Sequence, residues 1–139
     1  MQVVTKKLKI DGNTLTITVK ANTGLVLSLF KNSAKMEEIT VEELKRKIDS
    51  GEDFQLIDVR ETFEYEVSNL GGENIPLSGI MIESDKLATD KPVIVQCRSG
   101  KRSAAAIMQL QTLGFDNLYN LEGGILAWKE KYDPSMPVY

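Results

Sequence analysis

The feature that most constrains the fold is a regular alternation of short apolar segments and helical segments from about residue 38 onward. The apolar segments 54–59, 92–95 and 117–121 have the length of buried strands, and a helix-like segment follows each of them. Strands that alternate with helices form parallel sheets covered by helices on both faces. The sequence therefore predicts an α/β domain over residues 37–139.

Local signals indicate where the helices begin. Thr40 and Glu43 match a capping box, which predicts a helix that begins directly after Thr40. Ser103 is a favourable N-cap residue, so the next long helix is predicted to follow it and to stop at Gly114. A terminal helix is predicted over residues 123–128.

The first 36 residues differ in character from the rest. Residues 15–19 alternate between apolar and polar side chains, and Asp11-Gly12-Asn13 before them has the composition of a turn. This pattern predicts a β-hairpin. The apolar stretch 25–30 and Lys31-Asn32-Ser33 are interpreted as the connection to the next domain. We predict an N-terminal extension over residues 1–36 that consists of a hairpin and a linker.

Composition excludes several classes of function. The net charge is −3, which argues against nucleic-acid binding, and no apolar run reaches the ~20 residues that cross a bilayer. The sequence has no histidine, which excludes Ser-His-Asp and Cys-His catalysis and removes the commonest zinc ligand. We therefore expect no metal and no cofactor. A single cysteine and no outward-directing signal predict a cytoplasmic protein.

The chemistry is expected in the loop that follows the apolar segment 92–95. Cys97 stands at the end of that segment, and the loop Arg98-Ser99-Gly100-Lys101-Arg102-Ser103 leads into a helix. Such a loop can turn backbone N–H groups inward as an anion-binding nest, and its three positive charges add to that effect. We predict that the loop lowers the pKa of the Cys97 thiol without a histidine base, and that it binds an anionic sulfur donor.

Other interpretations of this loop remain open. A lone cysteine after a buried strand is often a core residue. Phosphatases and arsenate reductases also place a cysteine at a strand end, but with five residues before the arginine, whereas four separate Cys97 from Arg102. Gln96 also occupies the position where those phosphatases usually have histidine. A domain that only docks a partner is a further alternative.

Three segments in order, LIDVRETFEYE with a downstream NIPL, CRSGKRSA and NLEGGILAWK, resemble the rhodanese (thiosulfate sulfurtransferase) family over about residues 38–133. The resemblance implies a five-stranded parallel sheet flanked by helices, with Cys97 as the sulfur-accepting nucleophile and residues 98–102 as its cradle. Asp58 and Arg60 match the first motif and are expected to support the site. Ser68-Asn69-Leu70 departs from the Gly-His-Ile that members often have, so local packing there is expected to differ.

A closer similarity involves residues 38–77 and the ending DPSMPVY, which look like the rhodanese module at the C-terminus of MoeB/ThiF-type adenylyltransferases. The resemblance implies a sulfurtransferase with thiosulfate or a protein persulfide as donor. The implied acceptor is cyanide, a thiol or a ubiquitin-like sulfur carrier of molybdopterin or thiamine biosynthesis.

Overall fold

A computed structural model describes residues 2–10, 13–21 and 36–139 of the chain. The chain divides into two compact units, Met1–Lys35 and Met36–Tyr139. In the first unit, strands β1 (Gln2–Ile10) and β2 (Asn13–Ala21) pair antiparallel, which confirms the predicted hairpin. Residues 25–33, which were interpreted as the connection to the next domain, lie outside the described part.

The second unit is a parallel sheet with helices between its strands. Its elements in chain order are β3 (Glu37–Ile39), α1 (Val41–Asp49), β4 (Gln55–Asp58), α2 (Thr62–Val67), β5 (Glu73–Asn74), β6 (Val93–Gln96), α3 (Lys101–Gln111), β7 (Leu118–Leu121) and α4 (Gly124–Tyr132). The strand order is β3-β7-β6-β4-β5, and every neighbouring pair is parallel. The predicted five-stranded parallel α/β fold is confirmed.

Alternation along β6 divides the core between the two faces of the sheet. Val93, Val95 and Cys97 belong to the cluster that packs with Ile107 of α3. Ile94 belongs to the opposite cluster, which includes residues of α1 and α4. Successive side chains of a strand point to opposite faces, so a central strand covered by helices on both faces is largely apolar, as residues 93–95 are. This pattern places Cys97 on the α3 side.

One predicted helix start is confirmed and another is wrong. The Thr40 hydroxyl accepts the Glu43 N–H at 3.1 Å and caps α1. Helix α3, however, begins at Lys101, so Ser103 is not its N-cap. Gly100 takes that position with φ of +104°, a left-handed conformation that glycine adopts without the steric penalty of a Cβ atom. Ser103 therefore lies inside the first turn, where it is buried.

The carboxyl ends of the two central strands lie side by side. Asp58, the last residue of β4, pairs in register with Gln96, the last residue of β6. Cys97 follows directly, so the loop after it and the segment between β4 and α2 both leave the sheet at the carboxyl ends of the strands. In parallel α/β sheets, ligands bind at these ends.

Candidate active site

The Cys97 sulfur lies at the base of its loop and is almost completely buried, with 1% of the residue exposed. The Gly100 N–H donates a hydrogen bond to Sγ at 3.0 Å. The Ser103 hydroxyl lies 3.3 Å from Sγ on the other side. Neutral polar groups therefore contact the sulfur directly.

The beginning of α4 orients this loop. The N–H of Ile125 donates to the carbonyl oxygen of Cys97 at 2.9 Å, and the N–H of Leu126 donates to that of Arg98 at 3.1 Å. The N–H and C=O of a trans peptide point in opposite directions, so an Arg98 carbonyl turned toward α4 directs the Ser99 N–H away from α4, and this N–H is among the groups that lower the pKa of Cys97. Gly124 permits this approach, because a Cβ atom there would lie 2.4 Å from the Cys97 oxygen.

These contacts determine the ionisation of the thiol. Burial raises the pKa of Cys97, but hydrogen bonds from the Ser103 hydroxyl and from the backbone N–H groups of Ser103, Gly100 and Ser99 outweigh it, so the net pKa is lower than that of a free cysteine. The direction agrees with the sequence analysis. The backbone amides were expected, but the Ser103 hydroxyl lies beside the sulfur where a guanidinium was expected.

Two of the three positive side chains of the loop, those of Arg102 and Arg98, bind groups other than the sulfur. The guanidinium of Arg102 donates to both carboxylate oxygens of Glu64, at 2.7 and 2.9 Å. This contact lowers the pKa of Glu64 against the raising effect of its burial. Arg98 donates from Nε to the backbone oxygen of Tyr139 at 3.0 Å, and Lys101 is exposed at the start of α3. The predicted loop residues come together, but their charges lie outside the donors on the sulfur.

Asp58 and Arg60, the two predicted supporting residues, form a buried ion pair. Arg60 donates to the Asp58 carboxylate from Nε at 3.0 Å and from Nη2 at 2.7 Å. The same Nη2 donates to the backbone oxygen of Ser68 at 2.8 Å, so the pair ties the end of β4 to the end of α2. It fixes the helix that carries Glu64.

The sequence analysis missed two residues of this site. Glu64 lies in α2 and also accepts the Glu61 N–H at 2.9 Å, so the Glu-x-x-Glu spacing at that helix start was an available signal. Asn120 is buried in β7 and contacts both Ser103 and Gly100. Its signal was a polar residue inside an otherwise buried strand.

The last residues of the chain lie across the rim of the site. The Tyr139 ring packs edge-on against Phe63 of α2 with centroids 5.1 Å apart, and the Ser68 hydroxyl donates to the Pro137 oxygen. Together with the bond from Arg98, these contacts connect the Cys97 loop to α2 through residues 137–139.

Two features are absent from residues 2–10, 13–21 and 36–139, which are the described part of the chain. In this described part, no three Cys, Asp or Glu side chains are grouped to hold a metal ion. No helix described there is long and apolar enough to cross a bilayer.

Known proteins resemble this chain in sequence and fold. The probable adenylyltransferase/sulfurtransferase MoeZ of Mycobacterium tuberculosis is 32% identical over 84% of this chain, which spans only 30% of MoeZ. A protein named sulfurtransferase from Allochromatium vinosum is 33% identical over 67% of this chain and 88% of its own length. The crystal structure of a rhodanese-related protein from Thermoplasma volcanium superposes with a TM-score of 0.60 and 35% identity, covering 74% of this chain and 97% of that one.

The family model described as "Rhodanese-like domain" matches residues 40–131, which include every strand of the sheet except β3 and both ion pairs of the site. The predicted similarity to the modules of MoeB-type proteins is also confirmed by the MoeZ match. The chain belongs to the family of rhodanese-like domains.

Proposed function

We propose that this protein is a sulfurtransferase that carries transferable sulfur as a persulfide on Cys97. The main support is two neutral groups beside Sγ, the Gly100 N–H, which donates to it at 3.0 Å, and the Ser103 hydroxyl, which lies 3.3 Å away, together with the lowered pKa of the thiol. A thiolate is the reactive form of cysteine, and these donors stabilise it without a histidine.

The reaction has two displacement steps. In the first, the Cys97 thiolate attacks the outer sulfur of thiosulfate, a new S–S bond forms, and sulfite leaves with the electron pair of the broken S–S bond. In the second, an acceptor nucleophile attacks the outer sulfur of the persulfide and regenerates the thiolate. The inward N–H groups stabilise the anionic sulfur in both states, which is electrostatic catalysis by fixed donors.

The loop charges favour an anionic donor. Arg98 and Lys101 are exposed at the surface beside Cys97 and attract anions that approach the loop. Thiosulfate and a protein persulfide are the donors we propose. The acceptor we propose is a thiol, cyanide in an assay, or a ubiquitin-like sulfur carrier of molybdopterin or thiamine biosynthesis, since MoeZ is named as an adenylyltransferase/sulfurtransferase. Action in the cytoplasm without a cofactor stays a prediction.

Mass spectrometry of the intact protein tests this proposal. We expect wild-type protein treated with thiosulfate to gain one sulfur atom and to lose it to cyanide. Cys97→Ser should gain none, while Met108→Ala, a control at an exposed position of α3, should behave as wild type. Absence of the adduct on wild type would favour a docking domain. Turnover of an aryl phosphate in its place would favour the phosphatase alternative.

A further inference from the structure

The side-chain amide of Asn120 has a fixed orientation beside the Cys97 loop. Its Nδ2 donates to the backbone oxygen of Gly100 at 3.2 Å, and that oxygen also accepts the Ala104 N–H. The Gly100 oxygen can only accept, so the nitrogen of the amide must face it. The carbonyl oxygen Oδ1 then faces Ser103, whose Oγ lies 2.5 Å away.

The Ser103 hydroxyl has one proton and two neighbours that can use it. Asn120 Oδ1 has no proton to give, so Ser103 must be the donor in that contact. The Cys97 sulfur lies 3.3 Å from the same Oγ. A neutral thiol can donate a hydrogen bond to Oγ while the Ser103 hydroxyl donates to Asn120, so both contacts of the hydroxyl are hydrogen bonds. A thiolate cannot, so it competes with Asn120 for the hydroxyl proton.

We propose that Asn120 is a positioning residue that accepts the hydrogen bond of the Ser103 hydroxyl while Cys97 is neutral. When the sulfur becomes a thiolate, the hydroxyl turns its O–H from Asn120 toward Sγ. Asn120 thereby opposes ionisation and keeps the thiol from becoming too weak a nucleophile. Nucleophilicity of a thiolate falls as its pKa falls, so a site that must attack a donor gains from a moderate pKa. The proposal rests on the proposed function only in taking Cys97 as the nucleophile.

Charged groups also lie near Cys97. Arg102 of α3 lies near enough to interact with the thiolate, and its Glu64 partner comes from α2. Asp58 and Arg60 lie at the end of β4 as a neutral pair. All four groups are unchanged in the variants below, so differences between these variants report on the hydroxyl and the amide.

The pH profile of Cys97 alkylation by iodoacetamide measures the pKa directly, since Cys97 is the only cysteine of the sequence. We expect Asn120→Ala to lower this pKa by about one unit, equivalent to about a tenfold larger thiolate fraction at pH values below the pKa. Ser103→Ala should raise the pKa. The double variant should match Ser103→Ala alone, because Asn120 acts through the hydroxyl.

A structural role of Asn120 gives different results. If loss of the Gly100 contact merely loosened the loop, Asn120→Ala would raise the pKa, and the same change would appear without Ser103. Either result would overturn the proposal. Should Asn120→Ala fail to fold, Asn120→Asp serves instead. A carboxylate is a stronger acceptor for the Ser103 hydroxyl than an amide is. Asn120→Asp should therefore raise the pKa of Cys97 more when Ser103 is present than in the Ser103→Ala variant. Equal increases in the two backgrounds would refute the proposal.

Asn117→Ala is the matched control. Its amide, like that of Asn120, donates to the backbone, in this case to the oxygens of Ala88 and Lys91. Asn117 precedes β7, so it lies at the amino ends of the strands, opposite to Cys97. The pKa should be unchanged there, and a shift equal to that of Asn120→Ala would contradict the proposal. A wild type that forms no persulfide while the expected pKa shifts occur would refute the sulfurtransferase proposal and leave this one standing.

Discussion

Replacing Arg102 by methionine tests the ion pair that joins the Cys97 loop to α2. The change removes two charge-assisted hydrogen bonds, at 2.7 and 2.9 Å, and leaves the buried carboxylate of Glu64 with the Glu61 N–H. Breaking a fully buried pair costs about 3–5 kcal/mol, but 34% of the Arg102 side chain is exposed, so solvent screening reduces the effect. We expect the free energy of unfolding to fall by about 2–3 kcal/mol.

The loss should depend on pH in a definite direction. In the wild type, Arg102 lowers the pKa of Glu64, so its contribution to stability is fully present above the unfolded pKa of about 4.3 and is lost as the pH falls through the lower folded pKa. Arg102→Met removes the hydrogen bond that contributes most to this lowering of the Glu64 pKa. The difference in stability between the two proteins should therefore stay constant from neutral pH to about 5 and shrink as the pH falls below about 4.3.

Urea denaturation of wild type, Arg102→Met, Glu64→Gln and the double variant measures these quantities. We expect the free energy of unfolding of the double variant to exceed the value predicted from the two single changes by about 1–2 kcal/mol. The reason is that the double variant has neither the unpaired Glu64 carboxylate nor the unpaired Arg102 guanidinium. Additive effects, or a stability difference that does not change with pH, would refute an energetically significant pair.

Two further expectations concern the glycines and the rim of the site. Gly124→Ala should destabilise the protein more than Gly100→Ala in urea denaturation, because a Cβ at Gly124 meets the Cys97 oxygen at 2.4 Å, whereas at Gly100 the nearest atom is 3.6 Å away and only backbone strain remains. Equal losses would contradict this steric argument. Tyr139→Ala removes the ring that packs on Phe63 at the rim of the site. Alkylation of Cys97 by a bulky maleimide should therefore speed up more than alkylation by the smaller iodoacetamide. Unchanged rates would show that residues 137–139 do not restrict access to Cys97.

Sequence patterns predicted the centre of the sheet and missed its edges. The central strands β4 and β6 are covered on both faces, and the apolar runs that this requires are visible in the sequence. The edge strands β3 and β5 have only three and two residues, too few to show a period, so their number came from family resemblance alone. The start of α3 was misplaced because a left-handed Gly100 replaces the side-chain cap that Ser103 suggested.

The candidate site divides in the same way. Spacing along one loop predicted that residues 97–103 gather around the sulfur, since they are consecutive. It could not predict that Arg102 turns to Glu64, 38 residues earlier, or that Ser103 meets Asn120, 17 residues later. Such pairs depend on which elements the sheet brings together. Positive residues beside a cysteine therefore predicted an anion site, which stays a prediction, but they did not indicate which groups contact the sulfur.

Around Cys97, the groups that contact the sulfur differ from the charged side chains that would attract an anionic substrate. Backbone N–H groups and one hydroxyl contact the sulfur, and they are fixed by α4 and by Asn120. A guanidinium in direct contact would lower the pKa further, but it would also weaken the thiolate as a nucleophile. Glu64 holds Arg102 away from that position, while Arg98 and Lys101 remain exposed where an anion approaches. Neutral groups on the sulfur, with charged groups farther from it, are thus suited to the persulfide that we propose for Cys97.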